Sequence, residues 1–159
     1  MREIALLALL LLLGCGSLPT DTRFLVTGGI FTPPIQHDRD LGSYVTDFIR
    51  DAAMHGRIVA PQVLRILKYE VLEEPSVGLC TTYFNAFDDG VAYTEIRIHP
   101  KLLRCEPLLR AVMYHELGHC LMQLDHTERG IMKATTYSCE YYAEHWDELV
   151  DNFFEGRDE

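Results

Sequence analysis

Positive charge is scarce in this chain of 159 residues: 14 Lys and Arg face 24 Asp and Glu, for a formal net charge of -10. So acidic a chain is poorly suited to phosphate backbones, which excludes nucleic acid as an expected partner. Long apolar runs are scarce as well. The longest, Ile4 to Leu13, stops well short of the ~20 residues a membrane-spanning helix needs. Internal repeats and low-complexity blocks are missing outside that run, so solenoids and low-complexity segments are excluded too. The length suits one folded domain.

The apolar run follows Met1 and Arg2, the pattern of a secretory signal. It closes on Leu12-Leu13-Gly14-Cys15, which resembles the lipobox of bacterial lipoproteins. That resemblance implies cleavage before Cys15 and lipidation of its thiol. Residues 1–14 are then a signal peptide, 15–36 a tether rich in Gly and Pro, and 37–159 the domain. The implied location is the bacterial cell envelope, lipid-anchored and facing the periplasm or the exterior. Losing Arg2 and Glu3 leaves the charge unchanged. Four further cysteines remain, Cys80, Cys105, Cys120 and Cys139. An even number in an exported chain predicts two disulfides, with three possible pairings.

The densest chemistry is His115-Glu116-Leu117-Gly118-His119, followed by Asp125-His126 and Ile131-Met132. Histidines four apart share one face of a helix, so both imidazoles reach one zinc ion. Glu116, next to the first ligand, is placed to take a proton from a water activated by zinc. A straight helix would carry His126 about 10 Å beyond His119, far outside the 2.0–2.1 Å of a zinc–nitrogen bond. The helix must therefore end, and the chain reverse, between Met122 and Asp125. A bare HExxH also suits an amphipathic helix with surface histidines; the added residues weigh against that.

This stretch, from about Tyr93 to Met132, resembles the metzincin zinc peptidases: a HExxH helix, a turn, a third ligand, then a methionine turn. His115, Glu116, His119 and Met132 match position by position. Two positions depart. The family's Gly falls at Met122 here, and its third ligand at Asp125, one residue before His126. We take His126 as the third ligand, with Asp125 as the alternative. The resemblance also implies that the strand before the metal helix, Tyr93 to His99, is a sheet edge able to pair with an extended substrate. Related enzymes use a tyrosine near Tyr137 to steady an oxyanion, although the spacing does not match cleanly. For the disulfides we prefer Cys80–Cys105 and Cys120–Cys139, the second tying the last helix to the metal helix.

The rest of the chain reads as α+β. A helix is predicted from Asp38 or Asp40 to about His55, with Leu41, Tyr44, Val45, Phe48, Ile49 and Ala52 facing a core. Strands are predicted at Phe24 to Val26, from Ile58-Val59, over Arg65 to Leu72, Val77 to Phe84 and Val91 to His99. The metal helix opens at Cys105 or Glu106 with Pro107 in its first turn. Ser138 caps a final helix through Phe154. The expected fold is a small mixed sheet packed on the HExxH helix and an N-terminal helix, with a C-terminal helix.

The expected function is zinc-dependent peptide hydrolysis with one catalytic Zn2+, ligands His115, His119 and His126, and general base Glu116, acting on a peptide or protein substrate. One alternative is a gluzincin-type peptidase whose third ligand is Glu140 or Glu144. Another is a non-catalytic envelope lipoprotein with a structural or vestigial zinc site.

Overall fold

The computed structural model describes residues 36–38, 41–59, 63–85 and 90–157. Cys15, the expected signal segment, residues 15–35 of the tether and the strand expected at 24–26 lie outside them. Gln36, assigned to the tether, instead joins strand β1 (Gln36–His37). Then come α1 (Leu41–Met54), β2 (Leu64–Tyr69), β3 (Gly78–Phe84), β4 (Val91–Ile98), a 3-10 turn (Pro100–Arg104), α2 (Glu106–Met122) and α3 (Cys139–Glu155). The described residues are thus α+β, three helices with a small mixed sheet. No helix among them is long and apolar enough to cross a membrane.

The sheet runs β1-β2-β4-β3. β4 pairs in parallel with β2 and antiparallel with β3. This corrects the placement of Tyr93 to His99 as an edge: β4 has a neighbour on each side, and β3 is the edge strand beside α2. The reason is visible in the burial. Thr94, Ile96 and Ile98 are fully buried, because the period of two sends them to the helical side of a central strand. Glu95 and Arg97 take the other side, where Lys68, Glu70 and Tyr83 pair with them. Ile58, expected to open a strand, is fully exposed and lies outside the strands, and Val71, past the end of β2, is 76% exposed.

Each helix end has a local cause. Cys105 stands in extended conformation before α2, its Sγ accepting from the Leu108 amide at 3.3 Å. Ser138 does the same for α3 through Tyr141 at 3.2 Å, a cap contributing about 1 kcal/mol. Gly156 ends α3 with φ of 72°, a conformation glycine adopts without steric cost. The core joins all three helices. Phe48 of α1 meets Tyr114 of α2 edge-on at 5.2 Å and Phe153 of α3 at 5.9 Å. The Tyr114 hydroxyl donates to the buried Asp51 carboxylate at 2.5 Å. Large apolar side chains buried this fully contribute about 1.5–3 kcal/mol each. They hold α2 rigidly from behind, immediately before His115.

Both disulfides form, with a pairing different from the one preferred. Cys80 bonds Cys120 and Cys105 bonds Cys139, with Cα separations of 5.7 and 6.1 Å. The physical reason is the order of strands. Cys80 faces the same side as Ile96, its partner in β4, and that side meets α2. Cys105, at the opposite end of α2, sits beside the start of α3.

Candidate metal centre

α2 continues unbroken through His115 and His119 and then reverses at Gln123. Gln123 adopts a left-handed conformation (φ 56°, ψ 38°). The amides of Gln123 and Leu124 both donate back to the Gly118 carbonyl, a Schellman-like ending. The chain then returns along the helix. A second closure follows, with the Thr127 amide on the Met132 carbonyl at 3.0 Å.

This path brings three imidazoles together. The His115 and His119 Nε2 atoms are 3.0 Å apart, and each is 3.2 Å from Nε2 of His126. Donors around a tetrahedral zinc at 2.0–2.1 Å lie about 3.3 Å from one another, so the triangle fits the expected size. The proton positions fit as well. Nδ1–H of His115 donates to the Ile131 carbonyl at 2.8 Å, and Nδ1–H of His119 to the Leu124 carbonyl at 2.6 Å. A carbonyl only accepts, so in these neutral rings the lone pair is on Nε2. Lone pairs 3.0 Å apart repel unless a cation or a proton lies between them. A proton is disfavoured at neutral pH, because burial, with a smaller contribution from the neighbouring imidazoles, pushes His115 down to about 4. Burial pushes His119 down too. Three nitrogens so arranged can hold a metal ion.

The chain matches no family model, no curated protein and no solved structure.

Of the expected site residues, the structure brings together His115, His119 and His126. Asp125 is exposed and outside the group of converging donors. Glu140 and Glu144 are exposed on α3 and also lie outside it. Met132, 2% exposed, lies beneath α2: a Cβ at Gly118 would stand 2.7 Å from its sulfur. Gly118 is thus the gap in the helix that the thioether fills. Tyr137 packs against Tyr141, with the Lys133 ammonium 4.4 Å from its ring centroid.

Glu116 is buried on the side of α2 that faces β3. Its carboxylate accepts from the Cys80 backbone amide, and burial pushes its carboxyl up to about 8 despite that bond. Gly78 leaves the space: a Cβ there would be 2.7 Å from Val112 Cγ1 and 2.8 Å from Glu116 Cγ. Sequence reasoning missed Gly78, the Cys80 amide and Gln123. A glycine inside a strand pattern, as in Val77-Gly78-Leu79, does signal close backbone approach. Nothing local marks Gln123, which is not a usual left-handed residue.

Proposed function

We propose that this protein is a zinc-dependent peptidase with a metzincin-like metal centre. The observation that carries the reading is the meeting of three imidazole Nε2 atoms on the helix turn that also bears a buried carboxylate, Glu116. The spacing also supports it. The metzincin pattern keeps its Gly and its third His three residues apart. Here the left-handed residue is Gln123 and the third His is His126, again three apart. The reversal has moved by one residue and the ligand has moved with it.

Zinc, when bound, supplies a Lewis acid and lowers the pKa of water to about 7. His115 and His119 hold it as neutral rings, each oriented by the carbonyl on its Nδ1–H. His126, exposed, closes the triangle from the solvent side. Glu116 accepts a proton from the attacking water on its carboxylate and passes it to the departing amine nitrogen. A cation beside this carboxyl favours its ionised form, opposing the effect of burial. Lipid anchoring through Cys15 in a bacterial envelope belongs to the same proposal; mass analysis of the mature N-terminus tests it, and an unmodified Cys15 rejects it.

Cleavage of a peptide library by the zinc-loaded protein is the decisive experiment, with Glu116→Gln as control. The variant should keep its zinc and lose about 10²–10⁴-fold in turnover. Full activity in Glu116→Gln removes the general-base role. Zinc binding without any cleavage by the parent protein favours the non-catalytic alternative.

A further inference from the structure

Val112, Glu116 and Cys120 are four residues apart and form one stripe of α2. All three meet β3. Gly78 lies against Val112 and Glu116, and Cys80, two residues along on the same face of the strand, is bonded to Cys120. Between these two contacts, the Cys80 amide donates to the Glu116 carboxylate. The edge strand is therefore fastened to the metal helix one turn beyond the carboxylate it holds.

We propose that the Cys80–Cys120 disulfide is a positioning element for Glu116, and that its reduction lowers turnover while the metal stays bound. The proposal rests on the peptidase reading above. Two groups of contacts separate the effects. The imidazoles are oriented by carbonyls of Leu124 and Ile131, neither of which touches β3 through this bridge. Glu116, by contrast, is oriented by the backbone of Cys80 itself. The reaction is ordinary thiol–disulfide exchange with a dithiol as reductant. Its thiolate attacks one sulfur of the bridge, taken as that of Cys80 because this residue is part-exposed where Cys120 is buried, and Cys120 leaves as a thiolate. The second thiol of the reductant, as thiolate, then displaces Cys80 from the mixed disulfide. Two electrons pass to the protein, which gains two thiols, and the dithiol becomes a cyclic disulfide.

The second disulfide supplies an internal control. Cys105 precedes the first turn of α2 and bonds Cys139 at the start of α3. It lies about 16 Å along the helix from Glu116 at 1.5 Å per residue. Two paired variants separate the roles: Cys80→Ser with Cys120→Ser, and Cys105→Ser with Cys139→Ser. Each is measured for zinc affinity by chelator competition, for hydrogen exchange at the residue-80 amide, and for kcat and KM on denatured casein. Losing the first bridge should lower kcat about 10- to 100-fold, the usual effect of losing an outer-sphere partner. Zinc affinity should hold, and the residue-80 amide should exchange faster, as it also should in Glu116→Ala. Losing the second bridge should lower thermal stability and leave kcat and the residue-80 amide unchanged.

Titration of the native protein with dithiothreitol, followed by alkylation and mass mapping, serves if the serine pair does not fold. Activity loss should then track alkylation of Cys80 and Cys120. Equal kcat losses in the two pairs, or zinc loss on opening Cys80–Cys120, overturn the proposal. If the parent protein cleaves no casein or peptide, the peptidase reading fails. The residue-80 amide then decides the latch separately: unchanged exchange in the opened protein rejects it.

Discussion

Two neighbouring faces of α2 are built by different means. The metal face draws on Leu124, His126, Ile131 and Met132, all within seventeen residues of His115 in the chain. The strand face draws on Gly78 and Cys80, more than thirty residues earlier. The first can assemble from local turns, whereas the second needs the sheet in place. Ligand geometry and carboxylate placement are therefore separable, and perturbing one face should leave the other largely intact.

The largest expected effect breaks the metal face alone. His126→Ala should weaken zinc binding by more than the 10- to 100-fold that outer-sphere changes cause, whereas Asp125→Ala should leave it nearly unchanged. Zinc competition titrations on both variants check this, and the reverse ranking would make Asp125 the third ligand.

The two faces should next differ in the sign of their pH dependence in metal-free protein. The folded-state pKa of Glu116 is raised to about 8, so its contribution is fully present below its unfolded value and is lost as pH rises through 8. The pKa of His115 is depressed to about 4, so its contribution is present above its unfolded value and is lost as pH falls toward 4. Melting temperatures should therefore decline from about pH 6.5 to 8, where Glu116 alone of the two titrates. Glu116→Gln should abolish that decline and leave a loss of stability on the acid side. Saturating zinc should remove the decline above pH 6.5, because the ion favours the carboxylate, and steepen the acid-side loss, because it requires imidazoles that stay neutral in the fold and take up protons on unfolding.

Gly118→Ala sharpens the comparison further. Glycine to alanine inside a helix normally gains about 1 kcal/mol. Here the added methyl meets the Met132 sulfur, and overpacking of this kind costs about 1–3 kcal/mol. Denaturant titration should show net destabilisation with weaker zinc binding. The smallest effect is at the helix end. Gln123→Gly relieves a left-handed non-glycine residue and should gain about 1 kcal/mol without changing zinc affinity.

The same division separates what the sequence makes legible from what it hides. The need for a reversal before His126 follows from rise per residue alone, and α2 and α3 follow from their caps at Cys105 and Ser138. The α+β class and three of the strands follow from alternation. Strand order does not. Val91 to Ile98 alternates as an edge strand would, yet β2 lies beside it in parallel, a pairing that crosses the chain and leaves no local mark. The disulfides were mispaired separately: the preferred bridge joined the metal helix to the last helix, and nothing local shows that Cys80 faces α2. Which residue joins His115 and His119 was ambiguous for a related reason: a one-residue delay in the helix end, carried by Gln123, brings His126 and not Asp125 beside them.

Beneath the three histidines lies a sulfur with almost no contact with solvent. The Met132 thioether occupies the volume that a side chain at Gly118 would need, and almost none of the residue reaches solvent. A sulfoxide oxygen has no place there while the helix and the loop stay closed, since oxidation turns a pliable apolar group into a polar, chiral one. The closed fold thus shields this methionine from peroxide, and oxidative damage can enter only through molecules in which the loop has already lifted from α2.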